Sequence, residues 1–306
     1  NATLVKCDIR SYMANVNDGD GEGKAAPVVL ITGCAEGGIG YEYCRAFAAL
    51  GCRVVATDIP DRVPDLAGLD DTVVVDRLPL DVTSEASVAD AVSRVLRDHG
   101  RIDVIVNNAG IGCTGPLAEL SGEAVRRTMD VNFLGQLRLV HAVAPHMTSR
   151  RSGRVVNVGS VVGTAATPWA GVYCASKAAV HAATDALRLE LAPFGVHIVK
   201  VVPGAVRSGL GHANTAQLAG AKQGQQQWGM YREFTAAIEE RAQASQGTGA
   251  TEASVFARHV AARVMRPRPP REIVYGSMTG LFAVLAMSPA WARDAFLARR
   301  FGLNKL

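Results

Sequence analysis

A chain of 306 residues, 48% hydrophobic and 20% charged, is long enough for one large α/β domain with a sizeable core. Its net charge of +4 comes from Lys and Arg spread along the chain, with local runs only at 266–271 and 299–300, a balance that excludes the basic footprint of a nucleic-acid binder. No apolar run approaches the ~18 residues of a membrane span, and the six cysteines form no C-x-x-C pair and match no histidine spacing for zinc, so reduced thiols in a cytoplasmic protein without a metal site are expected.

Residues 1–26 hold Asp8, Asp18, Asp20 and Glu22 and lack an apolar signal core, and they read as a flexible leader. The fold starts at Pro27. Residues 28–31 form a short apolar run suited to a strand buried on both faces, and they lead into the glycine-rich stretch from Thr32 to Gly40. A helical pattern at 41–50 closes at Gly51, and a second strand at 53–57 ends at Asp58. In such a βαβ unit the backbone N–H groups and dipole at the helix N-terminus can hold a pyrophosphate. Asp58 would accept hydrogen bonds from the adenosine ribose, and with Glu36 it would repel a 2′-phosphate, so NAD(H) is expected over NADP(H). Arg62, four residues beyond Asp58, is the one countersignal.

An apolar run at 73–75 and the segment Leu78-Pro79-Leu80-Asp81 precede a helix over 84–98, capped by Thr83 or Ser84. A buried strand at 101–106 ends in Asn107-Asn108-Ala109-Gly110, small and amide-bearing residues that suit a cofactor crevice at a sheet edge. The helical pattern at 123–150 carries Asn132, a residue costly in mid-helix unless its amide has a task. A strand at 155–158, a helix ending near Leu191 and a strand at 196–202 follow, the last terminated by Pro203-Gly204 and the segment to Ser208. Six or seven strands interleave with helices without a break for a second domain. Residues 27–306 therefore read as one doubly wound, Rossmann-type parallel sheet with helices on both faces.

Between those elements lies the stretch from Ser160 to Lys177. Tyr173 and Lys177 stand four apart at the start of a helix, so both side chains share one face. A free phenol has a pKa of about 10, and a neighbouring ammonium lowers it, which makes Tyr173 a candidate acid or base. Ser160, just past the strand, can hydrogen-bond the same substrate oxygen.

Residues 209–250 read as a substrate lid: a Gly/Ala/Gln-rich part to 224, then an amphipathic helix over 228–244 offering Trp228, Met230, Tyr231, Phe234 and Ile238, with His212, Lys222 and Arg232 as surface charges. A helix at 251–266 and a last strand at 272–275 follow. The tail, 278–306, combines apolar residues with Arg293, Arg299 and Arg300; it is expected to pack on its own domain or a partner subunit, with peripheral contact at a membrane or lipid surface as the other outcome.

Five separated elements, taken together, resemble the short-chain dehydrogenases/reductases over about residues 27–210: Thr32-Gly33 with Gly38 and Gly40; Asp81; Asn107 to Gly110; the tetrad Asn132, Ser160, Tyr173 and Lys177; and Pro203-Gly204. The resemblance implies that Tyr173 exchanges a proton with the substrate oxygen while hydride passes between nicotinamide and substrate carbon. It further implies that Ser160 fixes that oxygen, that Lys177 binds the nicotinamide ribose and lowers the Tyr173 pKa, and that Asn132 holds a water linked to Lys177. The implied cofactor set is Gly33, Glu36, Gly38, Ile39, Gly40, Asp58, Asp81, Val82, Asn108, Ala109, Gly110, Tyr173, Lys177, Pro203, Gly204, Val206 and Ser208. A homo-oligomer is also implied. The glycine loop has four residues between Gly33 and Gly38, and with the following Tyr-Glu-Tyr-Cys it resembles the 1-acyldihydroxyacetone-phosphate reductase branch, including its plant relatives, which implies NADPH. The residues themselves favour an NAD(H)-dependent oxidoreductase that interconverts a secondary alcohol and a ketone in an apolar small molecule. The alternatives are an NADPH-dependent reductase of that lipid precursor and a non-catalytic dinucleotide-binding sensor or scaffold.

Overall fold

The computed structural model describes residues 25–210 and 228–305. The expected leader, but for its last two residues, and segment 211–227 of the expected lid, with His212 and Lys222, lie outside them. Strand β1 (Val28–Thr32) is wholly buried and pairs in parallel with β2 (Arg53–Asp58) on one side and β4 (Val104–Asn107) on the other. Its side chains alternate between two cores, as the pleat dictates: Val29 and Ile31 face one, Val28 and Leu30 the other. The helix between the first two strands, α1 (Ile39–Ala48), buries Tyr43, Cys44 and Phe47, and Gly51 turns the chain back at a φ of +77°.

Next come β3 (Asp76–Pro79) and α2 (Glu85–His99), whose first turn is capped by the Ser84 hydroxyl accepting from the Ser87 N–H. After β4 the chain forms α3 (Gly122–Met129), a π turn at Asp130–Leu134 and α4 (Gly135–Ser149), then β5 (Gly153–Val158), α5 (Gly171–Leu191) and β6 (Val196–Pro203). The remainder comprises β7 (Val206–Arg207), α6 (Thr235–Ala242), β8 (Thr251–Glu252), α7 (Ala253–Val264), β9 (Glu272–Tyr275), α8 (Thr279–Met287) and α9 (Ala290–Arg300).

The main sheet has seven parallel strands in the order β3-β2-β1-β4-β5-β6-β9, and β7 pairs with β8 beside it. One face packs on α1 and α7 through Phe47, Phe256 and Val260, the other on α2 and α4 through Val88, Val92, Leu139 and Val143. The chain leaves β1 in one direction along the sheet and β4 in the other. A crevice therefore opens at the carboxyl ends of these two strands, where α/β sheets bind ligands. Among the described residues no helix is long and apolar enough to cross a membrane.

Three expected elements differ. The 73–75 run is mostly turn, because the Asp70 carbonyl accepts the Val73 and Val74 N–H groups, and pairing in β3 starts at Asp76. The 123–150 helix is interrupted by the π turn that carries Asn132. The 228–244 helix shrinks to α6 because the Glu119 carboxylate accepts the Gly229 and Met230 N–H groups at 2.8 and 2.7 Å, holding the entry outside a helix.

Candidate active site

The crevice is built on a tight glycine turn. Gly33 has a φ of +71°, and a Cβ there would lie 2.8 Å from the Ala109 Cα; a Cβ at Gly40 would lie 2.1 Å from the Gly33 carbonyl oxygen. The end of β4 is clamped onto the turn. The Asn108 amide donates to the Thr32 and Gly33 carbonyls, both at 3.0 Å, and the Thr32 hydroxyl accepts the N–H groups of Asn108 and Ala109. The Asn108 side chain thus braces the loop, and Ala109 and Gly110 form the adjoining wall. A Cβ on Gly110 would crowd Asn132 Oδ1 at 3.3 Å and Lys177 Nζ at 3.7 Å. Helix α1 begins at Ile39 behind Gly38, which supplies no side-chain cap. Uncapped helix N–H groups above a turn that only glycine can form fit the pyrophosphate of a dinucleotide.

At the end of β2, Asp58 Oδ2 accepts the Ala35 N–H at 2.8 Å and Oδ1 the Ile59 N–H at 2.9 Å, so the carboxylate is fixed against the glycine loop. Glu36 is exposed on the same loop. Arg62 is turned into an ion pair with Asp65 at 2.9 Å. Asp81 is held by Thr83, whose N–H and hydroxyl donate to its Oδ1, and Val82 packs against Gly135. Pro203 ends β6, and Gly204 approaches the Ser277 carbonyl so closely that a Cβ would collide at 1.9 Å. Val206 is buried in β7, while Ser208 offers its carbonyl to Gln246; the next residue, Gly209, donates to the Gly37 carbonyl at 2.8 Å and closes this segment over the glycine loop.

The tetrad is brought together from three elements. Helix α5 begins at Gly171, which places Tyr173 and Lys177 one turn apart on its inner face. The buried Lys177 ammonium donates to the Val158 carbonyl at 2.9 Å and lies 5.7 Å from the centre of the Tyr173 ring. The Ser160 hydroxyl stands close enough to the Tyr173 phenol to favour its ionised form. Asn132, fully buried in the π turn, donates to the Ile111 carbonyl at 2.9 Å and to Ser176 Oγ at 3.0 Å and accepts the Ile111 N–H at 2.8 Å; Ser176 in turn donates to the Tyr173 carbonyl. Both amide hydrogens are committed, so this side chain ties the α5 entry to the end of the crevice wall. A π turn frees backbone from regular pairing and recurs at functional sites.

Burial pushes the Tyr173 phenol up to about 12, against the opposing pull of the Arg241 charge and the Ser160 hydroxyl, and pushes Lys177 down to about 8. A further cation, Arg241, acts on Tyr173 in favour of its phenolate, and burial prevails over it. Near neutral pH Tyr173 is therefore protonated and able to give a proton.

Two polar residues of this region were missed in the sequence. His181, buried four residues beyond Lys177 on the same face, accepts the Ser160 N–H on Nε2 at 3.3 Å, and burial lowers it to about 4, so it stays neutral. Its spacing from Tyr173 and Lys177 was the available signal. Arg241 in α6, whose Nε donates to the Thr167 hydroxyl at 3.2 Å, left none.

Around the tetrad the walls are apolar. Trp169, held at a φ of +63°, lies with its ring 5.5 Å from those of Tyr231 and Phe234, and Trp228 and Ile238 complete that cluster. Phe282, Leu285 and Leu297 of the tail pack on Val161, Val162 and Cys174. The tail thus forms part of the wall, while Val284, Met287 and Trp291 face outward.

The model of the short chain dehydrogenase family matches residues 27–219. Short-chain dehydrogenase ptmH of Penicillium ochrochloron is 33% identical over 285 residues, covering 90% of this chain and 98% of the relative. The NADPH-dependent 1-acyldihydroxyacetone phosphate reductase of Schizosaccharomyces pombe is 40% identical over 189 residues, 60% of this chain and 62% of the relative. Among solved structures, a short chain dehydrogenase/reductase from Burkholderia phymatum in complex with NAD superposes with a TM-score of 0.69 at 26% identity, covering 89% of this chain and 95% of that one.

Proposed function

The chain belongs to the short chain dehydrogenase family and is an oxidoreductase, and from that premise we propose that it interconverts a secondary alcohol and a ketone in an apolar small molecule using NAD(H). The observation that carries this reading is the meeting of Tyr173, Ser160 and the buried Lys177 ammonium at the end of the crevice, beside clusters of apolar side chains. Gly33, Gly38, Ile39 and Gly40 would hold the pyrophosphate, and Asp58 the adenosine ribose. Glu36 would stand beside it, Asp81 and Val82 would flank the adenine, and Asn108, Ala109, Gly110, Pro203, Gly204, Val206 and Ser208 would border the rest. When bound, the nicotinamide supplies hydride exchange with the substrate carbon.

In the reductive direction Tyr173 donates its proton to the substrate oxygen, while the Ser160 hydroxyl fixes that oxygen. The Val158 carbonyl anchors the Lys177 ammonium, and neutral His181 holds the Ser160 backbone. The tail and the aromatic cluster exclude water from the reacting atoms.

The preference for NAD(H) rests on the Asp58 carboxylate at the loop and on Arg62 being engaged by Asp65. A second reading, an NADPH-dependent reductase of 1-acyldihydroxyacetone phosphate, is favoured by the name of the Schizosaccharomyces pombe relative and by the glycine-loop form. Tyr173→Phe tests the enzyme reading against apolar ketones and NADH. The reduction rate should fall by roughly a hundredfold or more while NADH binding is kept; a variant that retains its rate contradicts the role given to Tyr173.

A further inference from the structure

Half-buried Arg241 stands at the inner side of α6, next to Ile238 and Ala242, which pack into the aromatic cluster. Its Nε donates to the buried Thr167 hydroxyl, which lies 3.9 Å from Cys174 Sγ, the side chain beside Tyr173. The groups its charge acts on are Tyr173 and Cys174. Among the described residues it has no carboxylate partner. Glu240, its neighbour on the helix, is paired instead with Arg300 at 2.8 Å, and among the described residues the two terminal nitrogens of Arg241 have no acceptor. A guanidinium offers five donors in a planar fork that matches a carboxylate or phosphate, and a half-buried one holds an anion more strongly than one fully in water.

Resting on the oxidoreductase reading and naming its substrate class, we propose that Arg241 binds a carboxylate or phosphate group of the substrate, so that the molecule oxidised or reduced is amphipathic: an apolar body against Trp169, Phe234 and Ile238, and an anionic group beside the reacting carbon. Thr167 fixes the Nε side of the fork, leaving the terminal nitrogens for the ligand. The charge that recognises the substrate also favours the Tyr173 phenolate, so binding and proton transfer meet at one residue.

The test needs no turnover. Octanoate, octyl phosphate and the neutral octanamide are titrated into the full chain, following the fluorescence of Trp169 and Trp228, with the wild type, Arg241→Gln and Arg241→Lys. One or both anions should bind the wild type about tenfold or more tighter than octanamide; which of them leads tells carboxylate from phosphate. Arg241→Gln should bring anion and amide within about twofold of each other, and Arg241→Lys should keep part of the preference. Equal binding of anion and amide by the wild type, a preference that survives Arg241→Gln, or binding of none of the three overturns the proposal. Failure of the oxidoreductase reading is seen separately, as loss of NADH binding or of Tyr173-dependent hydride transfer.

Discussion

His181→Gln tests the link between the fold and the catalytic serine. In the neutral imidazole Nε2 accepts the Ser160 N–H, so the ring proton sits on Nδ1; a second proton would set a donor against that N–H. The surroundings leave no room to turn away, since a Cβ on Gly159 would lie 2.1 Å from Nε2. Burial, with the charges of Lys200 and Lys177, lowers the group from 6.5 to about 4. Between those values the unfolded chain binds the proton and the folded chain does not. The contribution to stability is thus present above about pH 6.5 and is lost as pH falls towards 4. At about pH 5 the loss is about 2 kcal/mol, from about 1.5 pH units at 1.4 kcal/mol each. Urea unfolding at about pH 7.5 and about pH 5 measures it. His259 is likewise lowered to about 4 and adds to the slope in both proteins, so the comparison isolates His181. His181→Gln should lose about 2 kcal/mol less than the wild type between the two conditions, and its ketone-reduction rate should fall because Ser160 is no longer fixed. A pH-dependent loss equal to that of the wild type would refute the reasoning.

Gly40→Ala should abolish dinucleotide binding, because its Cβ would sit 2.1 Å from the Gly33 carbonyl oxygen and only a shift of α1 from the turn relieves the clash; a variant that binds NADH normally by fluorescence would count against the cradle. Asn157 accepts from Asn107 Nδ2 at 2.8 Å and donates to Thr184 Oγ1 at 3.0 Å beneath the tetrad, joining β4, β5 and α5. Asn157→Ala leaves these buried groups poorly paired and should cost about 2–3 kcal/mol in urea unfolding; a change below about 0.5 kcal/mol would mean that the chain does not depend on this network.

The alternation of strands and helices was legible because the central strands are continuous apolar runs, Val28 to Ile31 above all, and because Gly51 and Ser84 mark helix ends through local backbone chemistry. The site was legible where its residues sit at strand ends or at fixed helical spacing, as Asp58, Asn108, Tyr173 and Lys177 do. Asn132 was noticed as a misfit in a helix, yet the π turn and the bonds to Ile111 and Ser176 come from elements some 20 and 44 residues away. Arg241 escaped for the same reason: nothing local separates it from the surface arginines, and its meaning lies in Thr167, 74 residues earlier. In the tail Pro289 and the extended Ser288 separate the apolar α8 from the Arg-bearing α9, and only packing shows which of its apolar side chains wall the site.

The most direct measurement of the central claim is the affinity of the purified chain for NADH and for NADPH, titrated separately by quenching of tryptophan fluorescence. With Asp58 fixed against the glycine loop and Arg62 engaged by Asp65, NADH should bind at least about tenfold tighter, a difference of about 1.4 kcal/mol or more. Equal binding, or tighter binding of NADPH, would contradict the account.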